Sequence, residues 1–126
     1  MWPFSSKLCS AGEVFLSSTF RDLSNFRKLA SEILVKERYK VVRSEDLDFA
    51  RGSGAHKHDI CLQRVDETPG FLLIIDWYAG QKYEGGSSDY IGLTITHAEA
   101  KRAFRKSVGW HCFANHEVIT TYNLWK

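Results

Sequence analysis

The sequence predicts an α/β fold with a mainly parallel central sheet of about four to five strands. Two observations lead to this prediction. Short apolar runs alternate with segments of helical periodicity, which is the order of strands and crossover helices in a parallel sheet. In addition, Phe71 to Ile75 are apolar without alternation, as expected for a strand that is covered on both faces. Right-handed crossovers would then place helices on both sides of the sheet.

We predict a lead-in over residues 1–12 and a single α/β domain over residues 13–126. The first half of that domain is predicted to contain strand Val14 to Ser17, helix Asp22 to Arg38, strand Tyr39 to Val42, a polar loop Arg43 to Lys57 and helix His58 to Asp66. In the first helix, apolar residues three and four positions apart predict the inner face, and charged residues predict the solvent face. The predicted inner face comprises Leu23, Phe26, Leu29, Ala30, Ile33 and Leu34, and the predicted solvent face comprises Arg27, Lys28, Glu32 and Lys36.

The second half begins where Pro69 and Gly70 end the preceding helix. It is predicted to contain strand Phe71 to Asp76, a glycine-containing loop Trp77 to Leu93, helix His97 to Lys106, and strands Val108 to Phe113 and Val118 to Trp125. A loop of this length inside a small domain more often has a function than merely connects two elements. We therefore expect it to close over a ligand site.

Composition excludes several classes of function. A formal net charge of +2 over 126 residues is too small to argue for nucleic-acid binding. The longest apolar run, Phe71 to Ile75, is too short to span a membrane, and the first residues lack the pattern of a signal peptide. Three cysteines at wide spacings do not suggest a disulfide framework, so a cytoplasmic location is expected. His56, His58 and Cys61 lack the paired spacing of a structural zinc site, so no metal is expected.

Three hydroxyl residues, Ser17, Ser18 and Thr19, separate the first predicted strand from its helix. Ligands bind at the carboxyl ends of strands in open parallel sheets, and helix N-termini attract phosphate. These residues therefore predict a phosphate or ribose site, to which Arg21 would add a bidentate hydrogen-bonded contact. The alternative is that the hydroxyls cap the helix, with Asp22 favourable in its first turn.

Thr96 and Glu99 form a second candidate fragment, at the start of a later predicted helix. A carboxylate beside an anomeric carbon can stabilise or trap the oxocarbenium-like state that forms when a ribosyl–nitrogen bond breaks. Glu99 is therefore the candidate catalytic residue, with Thr96 among the ligand-binding residues. The alternative is a capping box, in which Thr96 caps the helix and Glu99 bonds back to the cap amide.

Asp76 and Tyr78 follow the central apolar strand and are the remaining candidate ligand-binding residues. Asp76 is expected at the same edge of the sheet as Ser17, where it would hold a ribose hydroxyl or orient Arg21. Its alternative role is a solvent-exposed acid that ends a strand. Tyr78, next to Trp77, either stacks on a base or fills the core beneath the long loop.

Four segments in order resemble one protein family. The segment Phe15-Leu16-Ser17-Ser18-Thr19-Phe20-Arg21-Asp22 resembles the opening "VF[IV]SSTFxDL" of a TIR-like domain of unknown function, found N-terminal to NACHT and related STAND signalling ATPases. Glu45-Asp46 resembles the acidic pair of that family. The segment Ile74 to Gly80 resembles its "[IV]IGxxYG" with an extra alanine, and Thr94 to Glu99 resembles its "SxTxxExxxA" with Thr for Ser.

This resemblance implies a flavodoxin-like, three-layer fold, as in TIR domains and nucleoside deoxyribosyltransferases. Many relatives in the superfamily cleave N-glycosidic bonds in NAD or nucleosides with one glutamate, which corresponds to Glu99 here. NAD or a nucleotide would then be a substrate, and no cofactor is implied. The resemblance also implies self-association, or association with STAND or NACHT ATPase regions in defence proteins. A signalling adaptor without catalysis is the alternative, and deoxyribosyl transfer through a covalent glutamate intermediate is a third reading.

Overall fold

A computed structural model describes residues 12–18, 23–47, 56–76, 80–106 and 109–125. Within these ranges the chain forms an α/β fold whose four strands are all parallel, in the order β2-β1-β3-β4. The elements are β1 Glu13–Ser17, α1 Ser24–Lys36, β2 Lys40–Val42, α2 Lys57–Glu67, β3 Gly70–Ile75, α3 Ile95–Lys106, β4 Trp110–Ala114 and α4 His116–Trp125. Helices flank the sheet on both faces, which is consistent with a flavodoxin-like three-layer fold and confirms the predicted fold class.

Side chains alternate across the sheet, and each face packs a separate core. On one face, Val14, Leu16, Leu72 and Ile74 pack with Leu23, Ala30 and Leu34 of α1. On the other face, Phe15, Phe71 and Leu73 pack with Cys61 and Val65 of α2 and with Ala100 and Ala103 of α3. Ser17 lies two residues after Phe15 and pairs in register with Leu73, so it belongs to the face of α2 and α3. Asp76 lies two residues after Ile74, towards α1.

The predicted first helix is confirmed as α1, but its two faces were assigned wrongly at three positions. Arg27 is only 1% exposed, whereas Phe26 and Leu29 are 51% and 53% exposed. The buried stripe instead runs through Leu23, Arg27, Ala30 and Leu34, at spacings of four, three and four. A charged residue can occupy this stripe because its guanidinium finds ionic and hydrogen-bonding partners at the end of β1, described below.

The last predicted strand, Val118 to Trp125, is wrong, because this segment forms helix α4. Its β-branched residues favour a strand by propensity, but propensity is a weak guide when a helix start is well made. Asn115 makes that start: its Oδ1 accepts a hydrogen bond from the Glu117 amide at 2.8 Å, and its carbonyl accepts from the Val118 amide at 3.0 Å.

The other predicted elements are confirmed with shifts of a few residues at their ends. The strand predicted from Val108 is β4, although residues 107–108 lie outside the described part of the chain. The loop before α3 contains a short 3₁₀ turn at Ser88–Tyr90, and the loop after β2 begins with another at Ser44–Asp46. In the described part of the chain, no helix combines the length and the apolar character that crossing a membrane would need.

Candidate functional site

Ser17 and Glu99, which are 82 residues apart in sequence, meet at the carboxyl end of β1. The Ser17 hydroxyl donates a 2.7 Å hydrogen bond to Oε1 of Glu99. Strand β1 is central in the sheet and presents Ser17 to the face on which α3 packs, and α3 carries Glu99. The two residues are 1% and 4% exposed. The structure therefore brings the candidate catalytic residue against the first of the predicted hydroxyls.

Glu99 does not cap its own helix. Helix α3 begins two residues before the predicted start, and the Thr94 hydroxyl accepts a 3.1 Å hydrogen bond from the His97 amide as its cap. Glu99 consequently lies in the second turn, beyond the reach of the cap amide that a capping box requires. The capping box predicted for Thr96 and Glu99 is therefore wrong, and Thr96 is a half-buried residue of the first turn.

The Glu99 carboxylate is buried and sparsely bonded. Ser17 is its one hydrogen-bond partner within the described ranges, which leaves Oε2 without a partner there. Burial raises the pKa of Glu99 to about 7; the Ser17 hydrogen bond and the charge of Arg27 lower it, and the charge of Glu45 raises it. Both the ionised and the protonated forms are therefore populated near neutral pH. A carboxyl group tuned in this way is suited to acid–base or electrostatic chemistry.

Beside this pair, Arg27 links α1 to the ends of two strands. Its Nε donates to Glu45 Oε2 at 3.2 Å, its Nη2 makes a close ion pair with Glu45 Oε1, and its Nη1 donates to the Ser18 hydroxyl at 2.8 Å. Burial on its own would raise the pKa of Glu45, but the hydrogen bonds from Arg27 and from a backbone amide, together with the charges of Arg27 and Arg43, outweigh burial, so the pKa of Glu45 is lowered. The pair is thus ionised, and it fixes Ser18 next to Ser17.

Asp76 lies apart from the Ser17–Glu99 pair. Its Oδ1 accepts a 2.9 Å hydrogen bond from Asn115 Nδ2, and the residue borders an apolar groove on the α1 side of the sheet. Thr19, Arg21 and Tyr78 fall outside the described residues, so their predicted roles stay predictions. Among the candidate ligand-binding residues that the structure describes, Ser17 contacts Glu99 directly, Ser18 follows Ser17 in the chain, and Thr96 lies three residues before Glu99 on α3.

A second polar cluster holds the loop before α3 against the start of α2. The Tyr83 hydroxyl donates to the Asp59 carboxylate, which also accepts from the Gly86 amide at 2.8 Å. The Nδ1 atom of His58 accepts from the Glu84 amide at 2.9 Å, and burial lowers the pKa of this imidazole. The polar groups of this cluster bond to one another, so we assign the cluster a structural role, which is to hold the loop against α2.

The histidine and cysteine pattern does not assemble as a metal centre in the part of the chain that the structure describes, where no three His, Cys, Asp or Glu side chains converge. Cys61 of α2 is buried in the core between the sheet and its helices, and burial raises the pKa of its thiol to about 12. That thiol is therefore protonated at neutral pH and is a poor metal ligand.

Arg27 and Glu45 are the site residues that the sequence patterns misplaced or left without a role. A usable signal was present for Arg27, because it continues the spacing of Leu23, Ala30 and Leu34 on the buried face of α1. Glu45 entered only through the family resemblance.

The comparisons with known proteins add one finding to this geometry. No curated protein and no solved structure matches the chain. Residues 13–120 match the family described as a domain of unknown function (DUF4062), and the chain therefore belongs to that family.

Proposed function

We propose that this chain is a TIR-like, cytoplasmic domain that binds a nucleotide-type ligand at the carboxyl end of β1 and cleaves its N-glycosidic bond through Glu99. One observation supports this most strongly. Glu99 is a buried carboxylate that does not serve as a helix cap and has one hydrogen-bond partner among the described residues. Native proteins rarely leave a buried carboxylate so poorly satisfied without a functional reason.

The proposed reaction on NAD breaks the bond between C1′ of the ribose and the nicotinamide nitrogen. The electron pair of that bond goes to the nitrogen, so the cationic pyridinium leaves as neutral nicotinamide. The ionised Glu99 carboxylate stabilises the oxocarbenium-like ribosyl cation or traps it covalently. A water oxygen then bonds to C1′, and its proton passes to Glu99 or to solvent, which yields ADP-ribose.

The neighbouring residues have supporting roles in this proposal. Ser17 holds the Glu99 carboxylate in place and turns its hydroxyl to a ribose hydroxyl when a ligand enters. Arg27 and Glu45 keep Ser18 and the end of β1 in position, while Thr19 and Arg21 take the phosphates. Tyr78 stacks on the base, and Thr96 borders the ligand.

Nicotinamide release tests this proposal. The purified chain is incubated with NAD at about pH 8, where Glu99 is mostly ionised, and nicotinamide is measured by chromatography. Glu99→Gln is expected to lower the rate by about a hundredfold or more, whereas Glu32→Gln, at an exposed position of α1, should leave it unchanged. Equal rates for Glu99→Gln and the unsubstituted protein would contradict the proposal. A parallel incubation with a deoxynucleoside and a free base separates hydrolysis from deoxyribosyl transfer.

A second candidate is a signalling or adaptor module that acts through self-association or with STAND or NACHT ATPase regions, without catalysis. The exposure of Phe26 and Leu29, which neighbour each other on α1, favours it, because monomeric domains rarely leave large apolar residues together at the surface. Concentration-dependent assembly in the absence of NAD turnover would support this candidate over the enzymatic one.

A further inference from the structure

The loop before α3, residues 80–94, is fastened to the start of α2 at two separate points. At the first point, the Glu84 amide donates a 2.9 Å hydrogen bond to Nδ1 of His58, a residue that is 3% exposed. At the second point, the Asp59 carboxylate accepts a 2.8 Å hydrogen bond from the Gly86 amide. Two adjacent residues of α2 thus hold one loop through two chemically different acceptors.

The same loop is tied to the start of α3, the helix that carries Glu99. The Tyr83 amide donates to the Leu93 carbonyl at 2.9 Å, and the Ile95 amide donates to the Gln81 carbonyl at 2.8 Å. These bonds join the arm of the loop that is fastened to α2 to the arm that enters α3. A change in the fastening at α2 therefore acts on the segment that leads into the helix of the candidate site.

The two acceptors respond differently to acid. A ring nitrogen accepts a hydrogen bond only while it carries no proton, so the bond from the Glu84 amide requires a neutral His58. Burial on its own would raise the pKa of Asp59, but hydrogen bonds from Tyr83 and Gly86 and the charge of nearby histidines outweigh burial, so the pKa of Asp59 is lowered. A fall in pH therefore removes the acceptor on His58 well before the acceptor on Asp59.

The surroundings of His58 oppose a proton on its ring. The charged and titratable groups that face the ring within the described ranges are His56, Lys57, Asp59, Tyr83 and Glu84. Burial lowers the pKa of His58 below its ordinary value of 6.5, and the charges of His56 and Lys57 lower it further. A hydrogen bond with Gln81 and the charge of Glu84 act in the opposite direction without cancelling this shift. Since the ring binds a proton less readily in the fastened loop than in a released one, protonation favours release.

We propose that His58 is a proton-operated latch for the loop before α3. With a neutral ring, the loop is fastened to α2 at both His58 and Asp59. With a protonated ring, the part of the loop around Glu84 leaves α2, while Asp59 still holds Gly86. The release is partial and reversible, because one of the two adjacent acceptors is retained. This inference goes beyond the proposed function and does not depend on N-glycosidic cleavage.

Amide hydrogen exchange followed by NMR from about pH 7.5 to about pH 4.5 tests the proposal. The protection of the Glu84 amide, corrected for the intrinsic pH dependence of exchange, should fall about tenfold per pH unit between about pH 6.5 and the pKa of the His58 ring. The Gly86 amide is the internal control and should keep its protection. His58→Asn supplies an acceptor oxygen that does not titrate, so it should keep the Glu84 amide protected throughout. The matched control is His97→Asn, at an exposed position of α3, which should behave as the unsubstituted protein.

The state of the His58 ring is read from its nitrogen NMR signals in the same samples. Protection at Glu84 that stays constant while the ring titrates would overturn the inference, and so would a ring that stays neutral over the whole range. Equal losses at Glu84 and Gly86 would also overturn it, because they would indicate a general loosening of the fold. If His58→Asn fails to fold, His56→Asn provides the second variant, because asparagine can still cap α2 but brings no positive charge beside the ring. It should move the titration of the ring and the release of Glu84 to higher pH by the same amount, and a shift in the ring alone would refute the latch.

Discussion

Replacing Glu99 by Gln should stabilise the protein at alkaline pH and do so far less at acidic pH. Burial raises the pKa of Glu99 from 4.5 to about 7, so the folded state holds this proton more tightly than the unfolded state. The ionised form then costs folding free energy as pH rises from the unfolded pKa to the folded one. With about 1.4 kcal/mol per pKa unit, this cost is roughly 1 kcal/mol at about pH 5 and roughly 3 kcal/mol at about pH 8.

The pH difference isolates this effect from the other consequences of the substitution. Any change that Gln causes in packing or in the bond to Ser17 is present at both pH values, whereas the titration is lost only in the variant. The free energy of unfolding from urea titrations should therefore rise by roughly 2 to 3 kcal/mol more at about pH 8 than at about pH 5. Glu32→Gln, at an exposed position, is the control. An effect of Glu99→Gln that is the same at both pH values would refute the assignment of a buried, titrating carboxyl group.

Two further substitutions test the neighbouring structure. Arg27→Met removes the hydrogen bonds that a buried guanidinium donates to Glu45 and Ser18, and leaves Glu45 with the more distant Arg43, at 3.7 Å, as its ionic partner. It should lower the free energy of unfolding by roughly 2 kcal/mol in urea titrations; a loss below about 1 kcal/mol would show that water readily replaces the guanidinium. Gly85→Ala would drive a methyl group into a carboxylate and a phenol of the loop cluster, and should lower stability by about 1 to 3 kcal/mol. Its matched control is Gly86→Ala, whose methyl group would meet its nearest neighbour at an ordinary 3.6 Å; equal losses for both variants would contradict the packing described.

The periodicity of the sequence was sufficient to predict the layers of the fold, because burial dictates where apolar residues fall. The unbroken apolar run of β3 predicted a strand covered on both faces, and it lies between β1 and β4. Periodicity failed at α4, where β-branched residues favoured a strand. The side chain and carbonyl of Asn115 decide that segment, and propensity scales do not register a single well-placed cap.

The site was predictable to the extent that topology alone brings residues together. Ser17 ends a central strand and Glu99 lies near the start of a helix that packs on the same face, so their contact follows from the order of elements. The separation of Asp76 from that pair follows from side-chain alternation, which places it towards α1. Arg27 could not be placed by polarity, because a charged residue in a helix is usually solvated. An ionic partner from the loop after β2, Glu45, reverses that expectation.

The energetics of Glu99 bear on whether the residue is there for stability. A hydrogen bond of the kind it accepts from Ser17 contributes about 1 to 3 kcal/mol when one partner is charged. The roughly 3 kcal/mol cost of ionising this carboxyl group at alkaline pH already includes that bond, because the hydrogen bond from Ser17 is among the effects that lower its pKa. Glutamine at this position could accept the same bond without the charge. Because Thr94 caps α3, the helix does not need the carboxylate either. A residue that lowers stability where a neutral analogue would fit is typical of a functional site. The cost of ionising Glu99 therefore favours a ligand-binding role for the Ser17–Glu99 pair over a purely structural one.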